Sequence, residues 1–264
     1  MRVIAFASGK GGTGKTTLVA NVGIVLAQEG YSVCLIDADV AMANLSLLLG
    51  MQSSPITLHD VLLGEASPDD AIYDGPAGIK FIPSGLSLEN YRRVDTERLE
   101  SVIRAIRARF DFILLDAAAG IEKNVLAALS ASDEVLLVTM PETPSIADAL
   151  KTKSMAERLG SKPIGVIINM VYGQKGEIQT SDIMKVLELP SYGSVPFDPE
   201  VRKSFMQEKV SPVVIRAPQS PASRAIRNVA SRIVGVKFEE EKKEGGISGF
   251  FNALFSIFRK KKKE

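Results

Sequence analysis

Gly9-Lys10-Gly11-Gly12-Thr13-Gly14-Lys15-Thr16 satisfies the spacing G-x-x-x-x-G-K-[ST] and lies between an apolar run, residues 3–7, and a helix-period segment. In that context the residues describe a phosphate cradle. Glycines let the backbone curl so that successive N–H groups point inward at anionic oxygens, with a helix N-terminus behind them. Gly11, Gly12, Thr13 and Gly14 supply those donors, Lys15 would neutralise the β- and γ-phosphates, and the Thr16 hydroxyl would ligate Mg²⁺. Thr17, one position on, can reach an α-phosphate. The alternative, a glycine-rich turn without a ligand, has the strand and helix flanks against it.

Three further runs end in side chains suited to the same chemistry. Leu35-Ile36-Asp37-Ala38-Asp39 closes an apolar run with two carboxylates, two positions apart. Asp37 could reach a Mg²⁺ shell through water; alternatively both Asp residues cap a strand-to-helix turn. Phe112-Ile113-Leu114-Leu115-Asp116 has the form of a Walker B strand, whose carboxylate lies near the magnesium when a phosphate loop precedes it. Ile167-Ile168-Asn169 ends in an amide, which donates and accepts at once and suits the edge of a base, although Asn also forms turns.

Lys10 is not part of the general loop and adds a cation that its own nucleotide does not obviously need; a solvated surface lysine is the bland alternative. With it, KGGTGKTT resembles the deviant Walker A loop of the MinD/ParA family of dimerising ATPases. The resemblance covers roughly residues 1–235 and is most specific in this loop. It implies that Lys10 reaches across a nucleotide-sandwich dimer, that Lys10, Lys15 and Asp39 are catalytic, and that Asp39 orients or deprotonates the attacking water. It places Asn44 near that water. It also implies that Asn169 reads adenine while Val195-Pro196-Phe197-Asp198 closes over the ring. Residues 116–122 are similar to the family's switch segment through Asp116 and Gly120, but Ala118 stands where the family usually carries proline, which loosens the backbone. Residues 141–148 match a further family stretch, with Glu142 and Asp148 as dimer-face or Lys10-contacting groups; acids at a helix N-terminus are the ordinary reading.

The elements that must position these groups are legible as alternation. Apolar runs at 3–7, 32–36, 79–83, 112–115, 134–139, 163–169 and 193–195 are interleaved with helix-period segments at 15–29, 96–109, 145–159, 178–188 and 222–234. Residues 57–63 read as a short helix in a long second crossover. This predicts an α/β fold, a doubly wound, mainly parallel sheet with helices on both faces, of the P-loop NTPase type.

Composition narrows the function. The 264 residues hold 32 Lys and Arg against 31 Asp and Glu, one His, one Cys and no Trp, and the 45% that are apolar can fill a proper core. A lone Cys34 excludes a disulfide framework or a thiolate-ligated metal within one chain, and a lone His59 removes His-based zinc sites. Both read as structural. Met1-Arg2 leads straight into a strand without a signal-peptide pattern, and no apolar run approaches the ~20 residues that span a bilayer, so a cytoplasmic protein is expected.

Composition shifts after Val236, which divides the chain into an ATPase domain at 1–236, a charged flexible linker at 237–246 and a basic amphipathic helix at 247–264. Ile247, Phe250, Phe251, Leu254, Phe255 and Phe258 fall on one helical stripe, followed by Arg259, Lys260 and three more lysines. Residues 237–264 carry eight Lys and Arg and five Asp and Glu, which leaves the body with 24 against 26. A stripe joined to a basic cluster reads as an interfacial anchor for an anionic membrane, weak for one tail and strengthened by avidity for two. A helix docked on its own domain or on a partner is the alternative.

Within the family this points to MinD-like spatial regulators of cell division. The expectation is an ATP-dependent homodimer with Mg²⁺ and ATP, slow hydrolysis serving as a switch, and an unidentified protein partner or activator. It would sit peripherally on the inner face of the cell membrane. A ParA-type DNA-partitioning ATPase needs a basic face that a net acidic body does not favour. An iron–sulfur carrier needs more than one cysteine, and a small-molecule ligase has no use for the tail. A flagellar-number regulator shares the architecture.

Overall fold

The apolar runs become the strands β1 (Arg2–Ser8), β2 (Val33–Asp37), β3 (Tyr73–Asp74), β4 (Lys80–Ile82), β5 (Phe112–Ala119), β6 (Glu134–Thr139), β7 (Lys162–Val171) and β8 (Ser191–Pro196). The computed structural model describes residues 1–40, 44–51, 54–85, 95–120, 122–206 and 210–238. Ile121 lies outside the described residues, as do the linker from residue 239 and the tail positions Ile247, Phe250, Phe251, Leu254, Phe255, Phe258, Arg259 and Lys260. Within the described residues the strands form one sheet in the order β3-β4-β2-β5-β1-β6-β7-β8, parallel except for the edge strand β3.

The helices between them are α1 (Lys15–Gln28), α2 (Leu45–Leu48), α3 (Leu58–Leu63), α4 (Leu99–Ile106), α5 (Lys123–Ser130), α6 (Thr143–Arg158), α7 (Thr180–Leu187), α8 (Pro199–Lys203), α9 (Val213–Arg216) and α10 (Pro221–Val234). Strand alternation divides the core into two layers. Val3, Ala5, Ala7, Ile113 and Leu115 face α3 to α7, whereas Ile4, Phe6, Phe112 and Leu114 face α1, α2, α9 and α10. Strands covered on both faces must be apolar on both, which is why β1 and β5 read as continuous runs rather than alternating ones. The doubly wound sheet is the architecture expected from the sequence. No described helix is long and apolar enough to cross a membrane.

Several boundaries differ from the sequence reading, each for a local reason. β2 stops at Asp37, so Asp39 lies beyond the strand. The Asp37 carboxylate accepts the Asp39 and Leu45 N–H groups, each at 3.2 Å, and turns the chain out of the sheet. β5 continues through Ala117 and Ala118 to Ala119, because alanine keeps the N–H that proline lacks. The 96–109 segment is shorter as an α-helix, with 3-10 turns at Thr96–Arg98 and Arg107–Arg109. Phe238 packs against the α1/α10 layer, so the folded body reaches past Val236 into the stretch read as linker.

Candidate functional site

The loop joining β1 to α1 is shaped by close approaches. Gly14 opens α1 at φ 87°, and a Cβ there would stand 2.3 Å from the Asn169 Nδ2, so conformation and space both demand glycine. Gly9 lies against α6: its Cβ would come within 2.5 Å of the Asp148 carbonyl oxygen. A Cβ on Gly11 or Gly12 would meet nothing within 4 Å, so the loop's crest faces open space. Thr13 is buried, its Oγ1 without a hydrogen-bond partner. Lys15 is 8% exposed, and its positive charge, together with the neighbouring Thr16 hydroxyl, pulls the Asp116 carboxyl down against the effect of burial.

The strand order sets Asp37 and Asp116 opposite each other on neighbouring strands. Both are buried, and burial is the main cause that pushes both carboxyls up. Asp116 adds its charge against Asp37, which rises well above the usual carboxylate range despite the Leu45 and Asp39 N–H groups. The pull of Lys15 and Thr16 limits Asp116 to about 6. Its Oδ1 is buried without a partner. A hard divalent cation fits this donor set: paired acidic oxygens, one of them orphaned, beside a hydroxyl. Among the described residues no group of three His, Cys, Asp or Glu could hold a metal alone, so a cation here needs phosphate and water oxygens as well.

A pH prediction follows for the metal-free protein. An acid whose folded pKa is raised contributes stability below its unfolded value, and that contribution is lost as pH rises through the folded value. Stability should therefore fall between about pH 4 and 6, by roughly 2–3 kcal/mol from Asp116. Asp116→Asn should remove the share of Asp116 and leave that of Asp37, whose carboxyl burial also raises, read as denaturant midpoints across the range. An unchanged pH profile in the variant would rule out Asp116 as its source.

Asn169, near the end of β7, donates from Nδ2 to the Thr13 carbonyl at 2.7 Å and so ties β7 to the phosphate loop. Beside it lies a cavity of about 280 Å³ between Gly14 and Thr17 on one wall and Pro196, Phe197 and Phe205 on the other. The walls are mostly apolar with few polar groups, as in sites for flat ligands. Phe197 stacks on Tyr172, centroids 4.6 Å apart and planes 17° from parallel. Tyr172 and the wall residues Arg202 and Phe205 were not found from the sequence, since no motif marks a lone aromatic or arginine that reaches a pocket by tertiary folding.

Residues 4–211 match the family described as the CobQ/CobB/MinD/ParA nucleotide binding domain. The chain belongs to this family. An uncharacterized ATP-binding protein of Methanocaldococcus jannaschii is 46% identical over 255 residues, 96% of each chain. Among solved structures, the cell division ATPase MinD of Pyrococcus furiosus superposes with a TM-score of 0.85 at 35% identity, over 89% of this chain and 98% of that one. The septum site-determining protein MinD of Pyrococcus horikoshii, complexed with Mg-ADP, gives 0.85 at 33% identity, over 90% and 99%. The fold is thus that of the MinD-type P-loop proteins.

The positions that the MinD/ParA resemblance marked for dimer and switch roles are spread around the loop. Lys10 pairs with Glu142 at 3.2 Å, both side chains about half exposed. Asp148 instead pairs with Lys151 at 3.0 Å. Gly120, at φ 93°, donates its N–H to the Ser8 carbonyl at 3.2 Å and so joins the end of β5 to the loop. Asn44 is exposed at the start of α2, where its carbonyl accepts the Leu48 N–H. Asp39 lies past the end of β2, close enough that its charge raises both Asp37 and Asp116.

Proposed function

We propose that the protein is a Mg-ATP-dependent ATPase that dimerises with ATP, binds an anionic membrane reversibly through residues 247–264, and positions other proteins as a MinD-type regulator. The observation that carries this reading is a buried Lys15, with the half-buried Thr16, beside the Asp37–Asp116 pair, and a second lysine, Lys10, half exposed at the surface. In this reading Lys15 and the N–H groups of residues 11–14 hold the phosphates. Thr16, backed by Asp116 and Asp37, holds Mg²⁺, which when bound offsets charge on the phosphate oxygens. Asp39 orients or deprotonates the attacking water, and Asn169 and Pro196 seat the base.

The Lys10–Glu142 pair suits a lysine that changes partners. A half-exposed pair contributes about 0–1 kcal/mol, so leaving Glu142 costs little, while a charge-assisted contact to a second protomer's phosphates is stronger. Lys10→Ala should bind ATP normally and stay monomeric in its presence, as read by light scattering. A dimer of unchanged affinity would sink the trans role.

The membrane part is tested by co-sedimentation with vesicles containing anionic lipid, with ATP, ADP and no nucleotide. Binding is expected with ATP only, should weaken as salt screens Arg259 and the lysines after it, and should vanish on truncation after Phe238. Truncation is placed there because Phe238, half-buried, packs against the core. Equal binding in all nucleotide states would mean that one tail suffices and would overturn the switch. Retention of duplex DNA in place of vesicles would favour a partitioning ATPase.

A further inference from the structure

Strand β7 breaks its own alternation beside the cavity next to Asn169. Ile167 faces the layer of α1 and α10, and Ile168 faces the layer of α3 to α7, as neighbours in a strand should. Val171 then packs on the same side as Ile168, although an odd number of steps in a regular strand would turn it to the other face. The pairing with β8 shows where the phase slips. Ile168 lies opposite Ser194 and Val171 opposite Pro196, so β7 takes three steps where β8 takes two. One residue is extra, which makes a bulge.

The left-handed residue in that bulge is Met170, at φ 55°. Among the described residues two other non-glycines have positive φ: Ala77 lies in a 3-10 turn and Glu188 ends α7, where such backbone is ordinary. Met170 sits inside a strand, with neither a turn nor a helix end to account for it. An L-residue held this way is strained, and such strain clusters at ligand sites. Here the bulge turns two consecutive side chains toward the phosphate loop. A Cβ on Gly14 would stand 2.3 Å from the Asn169 Nδ2 and 3.7 Å from the Met170 Cε. Beyond the bulge the ladder resumes in its new phase. The Val171 carbonyl accepts the Phe197 N–H at 2.9 Å, and Tyr172 comes round to stack on Phe197, a wall of the cavity.

The Asn169 amide is fixed in orientation as well as in place. Its Nδ2 donates to the Thr13 carbonyl, an acceptor that would repel Oδ1 if the amide flipped. Oδ1 is therefore the acceptor left for a base edge. An exocyclic amino group satisfies it, whereas a carbonyl in the same place leaves two acceptors facing each other.

We infer that Met170 is a positioning residue for base selection: its left-handed backbone makes the bulge that brings the Asn169 amide and the Tyr172–Phe197 stack to one cavity, and so favours a base with an exocyclic amino group over one with a carbonyl there. This rests on the reading of Asn169 given under the proposed function.

Substitutions that differ in their tolerance of positive φ separate the backbone from the thioether. Glycine and asparagine adopt the left-handed conformation readily; valine and threonine, branched at Cβ, do not. The probes are ATP, GTP and inorganic tripolyphosphate, each titrated calorimetrically with Mg²⁺; the last fills the phosphate loop and carries no base. Met170→Val is expected to weaken ATP binding about tenfold. GTP and tripolyphosphate should bind as before, so the preference for ATP over GTP narrows by the same factor. Met170→Gly and Met170→Asn should keep the wild-type preference to within about threefold, although both remove the thioether. Met170→Thr repeats the test with a polar branch if the valine variant does not fold. Equal losses in the glycine and valine variants would make the side chain the cause and overturn the proposal. So would a valine variant with the wild-type preference, or one that loses tripolyphosphate binding in step with ATP. A wild-type chain without preference for ATP over GTP would instead overturn the reading of Asn169, and this inference with it.

Discussion

Lys15→Ala is expected to lose ATP binding across the range in which the wild-type chain binds. The size of the effect comes from where the ammonium sits. Lys15 is almost wholly buried, and its charge holds down the pKa of Asp116, itself buried beside Asp37. Removing the cation leaves bound phosphates facing two acidic groups with no fixed positive charge between them. Breaking a buried charge pairing costs roughly 3–5 kcal/mol, which corresponds to a loss of about two to four decades in affinity. The folded state suffers less, because Asp116 can take up a proton once the pull of Lys15 is gone. Isothermal titration with ATP, alongside circular dichroism to show that the variant is folded, reads both quantities. A folded variant with wild-type affinity would remove Lys15 from the phosphate site.

Asp39→Ala is expected to do the opposite: bind ATP and fail to turn it over. Its side chain lies beyond the last residue of β2, and the bond it makes to Asp37 uses its backbone N–H, which alanine retains. Its negative charge raises the pKa of both Asp37 and Asp116, so its loss eases the ionisation of the two groups assigned to the cation. Binding should therefore hold or improve. Turnover should drop by about 10²–10⁴, the usual contribution of a positioned general base, measured as phosphate release under saturating Mg-ATP. Equal losses of ATP affinity in the Lys15 and Asp39 variants would refute this division of labour.

The two variants also show where a sequence is readable and where it is not. Lys15 could be assigned to a phosphate loop from the sequence because that assignment rests on residues beside it in the chain: the glycines, the preceding strand and the following helix. Asp39 was harder, since Asp37-Ala38-Asp39 fits either a continuing strand or a turn. The choice fell to the Leu45 N–H, which bonds Asp37 from eight positions away. The sequence offered Asn169 only as an amide at a strand end; that its Nδ2 donates to the Thr13 carbonyl depends on the placement of β7 beside the loop. α5 was missed because its apolar side, Val125, Ala128 and Leu129, spans barely two turns.

By itself the sequence determined the phosphate loop, the alternation of strands and helices, and the doubly wound sheet. Each is written in neighbouring residues, through glycine's freedom, the period of apolar side chains and the chemistry of short motifs. Only the tertiary structure decided the companions of each group. Placing β5 between β1 and β2 aligned Asp116 with Asp37, folding carried Glu142 to Lys10, and α3 set the His59 ring under the Gly85 N–H. Such contacts join residues tens of positions apart, and they follow from how two layers of helices cover one sheet, a balance of packing that no local stretch of chain contains.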